Sequence, residues 1–407
     1  MLTRLYATNY RCLVNFEFKP NAKQLIIGRN GTGKTTVFDV LAMLRDIAVR
    51  GLPLETYLGG KTRTRWQDVA EQRFELDVKG NGGEYHYTLV VDLREERAYA
   101  RGSEDPLISR RDQDTKKGVL ESIIPRVGDA FGPRVKQEEL TFNGKLLFRF
   151  HEGEIGLFND QQKPVPSVKF PLDWHRSGLA TVEEGRKDNA KLTWFKRWLR
   201  GLTHVQINPW AMSARSEHES REPAKDMGNF ADWYRHLRLE SGDAIFEAMA
   251  DLREAIPGLA ALDAKEAGLD VRVLQATMRS PNGKNINLPF TDLSEGQRSL
   301  IALYVLLHCA ITEDGTLLID EPDNFIALSE IQPWLLKMLD RVDEKDAQVI
   351  LVSHHPELLN QLASQGAVLL DRPADGESRV RPFASIPSIH ETGLTPSEII
   401  ARGWENA

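Results

Sequence analysis

The stretch "QLIIGRNGTGKTT", residues 24–36, decides the fold because it joins a short buried strand to a helix through a glycine-rich loop. Gly28, four residues, and then Gly33, Lys34 and Thr35 satisfy the phosphate-loop pattern. Lys34 is expected to pair with the β- and γ-phosphate oxygens of a nucleotide, and the Thr35 hydroxyl to bind Mg²⁺. The dipole of the following helix favours the same anion. The expected nucleotide-binding residues of this loop are Asn30, Gly31, Thr32, Gly33, Lys34, Thr35 and Thr36.

A second stretch, "TLLIDEP" at 316–322, is typical of a central strand that ends in two carboxylates. The carboxyl ends of parallel strands are the edge at which α/β sheets bind ligands. We therefore expect Asp320 to act on Mg²⁺ and Glu321 to orient and polarise the attacking water. A solvated strand end is the alternative, but the phosphate loop in the same chain disfavours it.

A third stretch, "VILVSHHPELL" at 349–359, repeats the pattern with Ser353, His354 and His355 after an apolar strand. A histidine beside a γ-phosphate can donate a hydrogen bond to the phosphate or to the attacking water. His354 is the better candidate of the two. A histidine that only caps the next helix is the alternative.

The fourth stretch is "DLSEGQRSL" at 292–300, which precedes the apolar helical segment "RSLIALYVLLHCAI". Its hydroxyl, its free amides and the helix dipole would suit an anion. The phosphate loop already holds one side of the nucleotide. We therefore expect this turn to bind the exposed γ-phosphate of a nucleotide that another copy of the chain holds. An ordinary helix cap at Ser294 is the alternative. The residues predicted to act on the other copy's nucleotide are Ser294, Glu295, Gly296 and Gln297.

The bulk composition limits the class of protein. With 407 residues, 41% apolar and 27% charged, the chain has room for two or three domains of an ordinary globular protein. The sequence contains no apolar run of about 18 residues, so no membrane span is predicted. The net charge of −7 argues against a surface coated with DNA-attracting charge. Cys12 and Cys309 show no metal-ligand spacing, which favours a reducing cytoplasm.

The remaining patterns predict how the chain is organised. Alternation on either side of residues 80–83 predicts a β-hairpin, and "KLLFRFHEGEIGLF" a second one. The polar segment 101–118 is expected to be an exposed loop, and 186–256 is mainly helical in pattern. The chain is expected to divide into 1–100 (phosphate loop and hairpin), 101–280 (an insertion with a hairpin and then helices) and 281–407 (the later motifs).

These motifs, in this order, resemble those of ABC-type ATPases of the SMC/RecF/OLD branch. The opening "LYATNYRCLVNFEF" also resembles that branch, in which an aromatic-arginine pair precedes the nucleotide site. The resemblance implies an α/β fold: an ABC-ATPase head, in which a phosphate-loop parallel sheet accompanies an antiparallel β subdomain, plus a mixed, mainly helical insertion. It also implies ATP and Mg²⁺ as ligands and a homodimer or higher oligomer that encloses ATP. Each chain's Ser294 and Gly296 would complete the other chain's site.

The resemblance adds lesser assignments. Arg11 would reach the nucleotide, and Asn324 would lie in the loop that helps to pair the heads. Relatives often carry His-Pro shortly after this position, where the present chain has Ala327-Leu328. The glutamine of the glutamine loop stays open between Gln67 and Gln72.

Two functions follow from the resemblance. Stand-alone ATPases of this kind resemble the ATPase subunits of two-component anti-phage systems such as PARIS and Septu, which implies a separate effector, a nuclease for example. The alternative is a RecF/SMC-like repair or replication ATPase that clamps DNA, for which the helix at 191–200 offers a basic strip. A helix that buries its aromatic residues and solvates its charges is the competing interpretation of that strip. A transporter motor is disfavoured by the long insertion. The cations and tryptophans of the strip are Lys191, Trp194, Lys196, Arg197, Trp198 and Arg200.

Overall fold

A computed structural model describes residues 1–93, 132–151, 153–161, 163–165, 173–373, 376–386 and 393–403. The loop predicted at 101–118 lies outside the described residues. Within the described ranges, no helix combines the length and the apolar character that crossing a bilayer requires.

Strands and helices alternate along much of the chain. The strands are β1 (Leu2–Thr8), β2 (Phe16–Phe18), β3 (Lys23–Ile27), β4 (Glu71–Gly80), β5 (Gly83–Asp92), β6 (Arg134–Phe142), β7 (Lys145–His151), β8 (Glu154–Leu157), β9 (Thr203–Val205), β10 (Arg215–Ser216), β11 (Leu259–Glu266), β12 (Arg272–Arg279), β13 (Asn285–Pro289), β14 (Thr316–Asp320), β15 (Gln348–Val352), β16 (Val368–Asp371) and β17 (Arg379–Pro382). The helices are α1 (Lys34–Ala48), α2 (Gly178–Thr181), α3 (Ala190–Arg200), α4 (Phe230–Glu240), α5 (Gly242–Ala255), α6 (Glu295–Cys309), α7 (Leu328–Lys345), α8 (Pro356–Gly366) and α9 (Pro396–Ala401).

The chain forms two compact units. The phosphate-loop unit comprises Met1–Thr3, Phe18–Ala42 and Arg197–Ala407, and the antiparallel unit comprises Arg4–Glu17 and Met43–Lys196. The phosphate-loop unit draws residues from all three predicted segments, so the units in space are not consecutive stretches of sequence.

The phosphate-loop unit is built on a six-stranded sheet in the order β17-β16-β3-β15-β14-β9. β16, β3, β15, β14 and β9 run parallel, and β17 pairs antiparallel to β16. This sheet and the antiparallel sheet of the other unit confirm the predicted α/β class. β9 was not predicted, because a strand of only three residues leaves no usable alternation pattern.

Helix α6 lies in the core of this unit and is buried along nearly its whole length, as its sequence predicts. The indole N–H of Trp334 on α7 donates to the Leu303 carbonyl of α6 at 3.1 Å. A buried indole needs such an acceptor, so this bond specifies how α7 lies against α6. In the same unit, β12 is the central strand of a separate antiparallel sheet, in which it pairs with β10, β11 and β13.

The antiparallel unit carries a seven-stranded sheet in the order β2-β1-β4-β5-β6-β7-β8. Both predicted hairpins are confirmed: β4 pairs with β5 up to a turn that closes at Gly80 and Gly83, and β7 pairs with β8. Gly80 packs against the side chain of Trp194, whose atom Cη2 would lie 2.2 Å from an added Cβ. A side chain at this turn would displace the tryptophan.

Helix α3, the predicted basic strip, is used largely for packing. The ring of Trp194 stacks on Tyr85 at 5.0 Å between centroids. Lys196 is only 2% exposed, and its ammonium donates to the Val182 carbonyl at 2.8 Å. The strip is therefore not a continuous basic surface, and the interpretation that buries the aromatic residues fits the structure better. That interpretation expected all the charges to be solvated, which Lys196 contradicts.

A buried carboxylate ties α2 to the antiparallel sheet. Glu138 is fully buried and accepts hydrogen bonds from the hydroxyls of Tyr87 at 2.7 Å and Ser177 at 2.5 Å. The first amides of α2, those of Gly178 and Leu179, also donate to it, at 2.8 and 3.3 Å. Burial raises the pKa of Glu138, against the effect of these donors.

We expect Glu138→Ala to lower the free energy of unfolding by roughly 2–4 kcal/mol, because it leaves several buried donors without an acceptor. Chemical denaturation with a matched Glu84→Ala control measures this, since Glu84 is an exposed residue on the neighbouring strand β5. Equal effects of the two substitutions would contradict the structural role of Glu138.

Candidate functional site

The phosphate loop lies between β3 and α1 and depends on its glycines. Gly28, Gly31 and Gly33 have φ values of 152°, 82° and 101°, a region that residues with a Cβ adopt only with strain. A Cβ on Gly28 would also lie 2.3 Å from the Leu370 carbonyl oxygen of β16. Position 28 must therefore be glycine for the loop to lie this close to the neighbouring strand.

Lys34 is folded back onto this loop. Its side chain is buried, and its ammonium donates to the carbonyl oxygens of Gly28 at 2.5 Å and Arg29 at 3.1 Å. Burial lowers the pKa of Lys34, while the carboxylates of Glu321 and Asp320 act in the opposite direction. Phosphate oxygens would be stronger acceptors than these carbonyls, because they carry charge.

The structure brings the two predicted magnesium ligands into contact. The Thr35 hydroxyl donates to Asp320 Oδ2 at 2.7 Å. Asp320 is buried, and burial raises its pKa against the effect of the Thr35 bond. Oxygen ligands are those that Mg²⁺ prefers, and the ion usually takes only one or two protein carboxylates with waters and substrate phosphates. A hydroxyl and a carboxylate at the end of a strand fit that requirement.

Strand register explains why these groups meet. Asp320 at the end of β14 pairs with Val352 at the end of β15, and Val352 pairs with Ile26 of β3. The carboxyl ends of the three strands therefore lie side by side. Glu321, Ser353 and Gly28 follow these ends directly.

Glu321 has a strained backbone. Its φ is 51°, and its amide donates to the Val352 carbonyl at 2.8 Å. The side-chain amide of Asn324 donates to Glu321 Oε2 at 2.8 Å, and Asp323 Oδ1 accepts from the Ser353 hydroxyl at 2.6 Å. Non-glycine residues in this region of φ are often found at functional sites, where surrounding bonds hold them. Here those bonds join the β14 and β15 ends into one structure.

The two histidines have different surroundings. His355 caps α8, because its Nδ1 accepts from the Glu357 amide at 3.2 Å. His354 reaches solvent, and partial desolvation first, then the Lys34 ammonium, lower its pKa, while Glu321 raises it. His354 therefore lies in the electrostatic field of the site, which supports the preference for it over His355.

Ser294 caps α6. Its hydroxyl oxygen accepts from the Gln297 amide at 3.2 Å, and the Gln297 side chain accepts from the Ser294 amide at 3.1 Å. Ser294 is exposed, whereas Gly296 packs so closely that an added Cβ would lie 2.7 Å from the Phe325 carbonyl oxygen. Glu295 is partly exposed on the first turn. The cap that the sequence left as the alternative is present, and the serine side chain also faces solvent.

Two residues predicted from the resemblance lie in the antiparallel unit. The Arg11 guanidinium lies 5.2 Å from the centroid of the Tyr10 ring, and its amide donates to the Thr62 carbonyl at 2.7 Å. Gln72 is buried, and its side chain donates to the Asn9 carbonyl at 2.9 Å, so it has a structural role within its own unit. A nucleotide contact by Arg11 stays a prediction.

Three polar residues that support the site were not predicted. The Ser378 hydroxyl donates to the Thr32 carbonyl at 2.7 Å, and the Arg372 guanidinium to the Gly31 carbonyl at 3.3 Å, so the chain after β16 supports the phosphate loop. Lys225 pairs with Asp39 of α1 at 2.8 Å and also acts to lower the pKa of Asp320. No sequence motif marks any of these residues.

A cavity of about 440 Å³ adjoins the loop. Gly28, Arg29 and His354 line one part of it, and residues 400–403 at the end of α9 line another. The first turn of the phosphate loop, the candidate histidine and the last described helix thus share one cavity.

The family model described as "AAA domain, putative AbiEii toxin, Type IV TA system" matches residues 172–360, somewhat less than half of the chain. An SMC head domain from Thermotoga maritima is similar at 10% identity and a TM-score of 0.42, over 94% of this chain and 98% of that one. An SmcHead bound to the C-winged helix domain of ScpA is similar at 12% identity and 0.45, over 93% and 97%. No curated protein matches.

Proposed function

We propose that the chain is a Mg²⁺-dependent ATPase that hydrolyses ATP to ADP and phosphate. The observation that carries this proposal is the 2.7 Å bond between Thr35 of the phosphate loop and Asp320 at the end of β14. It joins a phosphate-binding loop to a carboxylate at the edge where parallel sheets bind ligands. A glycine loop without that partner would indicate nucleotide binding at most.

Each residue has a separate task in this proposal. Lys34 and the loop amides bind the phosphates, and Thr35 and Asp320 would hold Mg²⁺, which neutralises charge on the phosphate oxygens. Glu321, partly exposed and held by Asn324, is suited to accept a hydrogen bond from a water and so to orient it. His354, with its lowered pKa, is neutral near pH 7, so that one ring nitrogen donates and the other accepts.

A second copy of the chain would complete the site. The Ser294 oxygen accepts from Gln297, which leaves its O–H as a donor directed by the cap. Because the side chain is exposed at the positive end of a 15-residue helix, it is suited to an anion from outside its own chain. Dimerisation around ATP and release after hydrolysis would then follow, because hydrolysis removes the γ-phosphate that both chains bind.

The biological role that we favour is an ATP-dependent switch in anti-phage defence that acts with a separate effector. The family description that matches residues 172–360 contains the words toxin and TA system, which supports a two-component arrangement. The alternative, a DNA clamp, has weaker support from the basic strip, because Lys196 is buried while Arg197 and Arg200 of the same helix are exposed.

We expect Lys34→Ala to abolish ATP binding, and Glu321→Gln to bind ATP and accumulate as a dimer because hydrolysis no longer separates the chains. Sedimentation with and without ATP measures both effects, and Glu313→Gln, an exposed carboxylate before β14, is the matched control. A Glu321→Gln protein that stays monomeric with saturating ATP would contradict the shared site.

Substitutions at Ser294 distinguish a residue that only caps α6 from one that also binds the other chain's nucleotide. Asn and Asp both serve as N-caps, so Ser294→Asn and Ser294→Asp should keep α6 stable. In the Glu321→Gln background, the added negative charge of Ser294→Asp should weaken ATP-dependent dimerisation at least about tenfold relative to Ser294→Asn. Equal dimerisation of these two variants would indicate that Ser294 is a cap alone.

The proposed role in anti-phage defence with a separate effector is tested by co-purification of the chain with the product of the neighbouring gene from the native host. We expect the complex to form and to depend on ATP, with Lys34→Ala as the control. Absence of such a complex, together with ATP-dependent and salt-sensitive binding of duplex DNA, would favour the clamp instead.

A further inference from the structure

Three large apolar side chains are exposed in two segments that contact the first turn of α6. Trp210 is 71% exposed, Phe325 51% and Leu328 54%. Trp210 follows β9, Phe325 lies between β14 and α7, and Leu328 is the first residue of α7. Single exposed apolar residues are ordinary, but a group of them around one functional element indicates a binding surface.

Two contacts place this group next to Ser294. Arg298, in the first turn of α6, is buried and donates to the carbonyl of Pro209 at 2.7 Å, so Trp210 follows directly from a residue bound to this turn. On the other side, Gly296 lies against the Phe325 carbonyl. Each of the two segments therefore contacts the first turn of α6.

The remaining contacts hold both segments in place. The Trp210 amide donates to Asn208 Oδ1 at 3.1 Å, which closes a local turn. Phe325 has a φ of 70°, an uncommon value for a bulky residue, and its carbonyl oxygen faces Gly296. Because the backbone of both segments is fixed in this way, Trp210 and Phe325 lose less conformational entropy when a partner binds.

A shared phosphate constrains what faces this surface. A hydroxyl that donates to a phosphate lies about 2.7 Å from it, and the same phosphate is in contact with the phosphate loop of the other chain. Residues that flank Ser294 would then lie within a few ångströms of that loop, which exposes Arg29. A guanidinium near an indole is favourable, and more so away from water.

We propose that Trp210, together with Phe325 and Leu328 of the second segment, is the apolar anchor of the ATP-dependent interface between two copies of this chain. The proposal rests on the shared site proposed above. It adds a source of affinity that the phosphate does not supply, because tryptophan is among the residues on which interface affinity most often depends. A second copy is the occupant that the position favours, since the surface surrounds the side chain that would enter the partner's site.

The test measures the dimer dissociation constant by sedimentation in the Glu321→Gln background with saturating ATP. We expect Trp210→Ala to raise it at least about tenfold and Trp210→Phe to raise it less. Phe246→Ala is the matched control, because Phe246 on α5 is also 71% exposed. ATP binding by the monomer and the melting temperature should be unchanged in all three variants.

The outcomes distinguish failure of the Trp210 anchor from failure of the shared nucleotide site. If Glu321→Gln alone fails to dimerise with ATP, the shared site falls and the anchor falls with it. If that protein dimerises and Trp210→Ala behaves like Phe246→Ala, the shared site stands and the anchor is wrong. A loss of effector binding by Trp210→Ala with unchanged dimerisation would also overturn the anchor and assign the surface to the effector.

Discussion

The parallel pairing of β3, β15 and β14 is the constraint on which the rest of the site depends. Strands in register end at one edge, so the phosphate loop, the carboxylate pair and the histidines follow from three adjacent strand ends. A shift of β14 by one residue would turn Asp320 away from Thr35, because successive side chains point to opposite faces of a sheet. The interiors of β14 and β15 are apolar and buried on both faces, which makes such a shift costly.

Two strained residues lie directly after β14. Glu321 and Phe325 both have positive φ values, at 51° and 70°, and each costs about 1–2 kcal/mol relative to an ordinary conformation. The bonds from Val352, Asn324 and Ser353 offset part of this cost. In return, the loop presents Glu321 toward the site and the Phe325 carbonyl toward α6. The same five residues therefore connect the proposed water-orienting carboxylate with the helix that would face another chain.

Local patterns predicted much of this structure, and non-local contacts account for the rest. The phosphate loop, both hairpins and the buried α6 depend on residues close in sequence, and their patterns are visible there. By contrast, Ser378 supports Thr32 across 346 positions, and nothing in its surrounding sequence indicates that contact. The burial of Lys196 was missed for a similar reason, since charge in an amphipathic helix predicts solvent unless an acceptor such as the Val182 carbonyl is known to be near.

The cap at Ser294 shows why the sequence alone left two interpretations open. Capping requires a side-chain oxygen as acceptor, whereas binding a phosphate requires the O–H as donor, and one serine hydroxyl can do both. The cap bond to Gln297 directs the donor, and Gly296 leaves room for the backbone to approach Phe325. Neither feature conflicts with a cap that serves only its own helix. A cap alone does not require exposed aromatic residues in the segments that contact its helix, since burying Trp210 would stabilise the fold more than exposing it does.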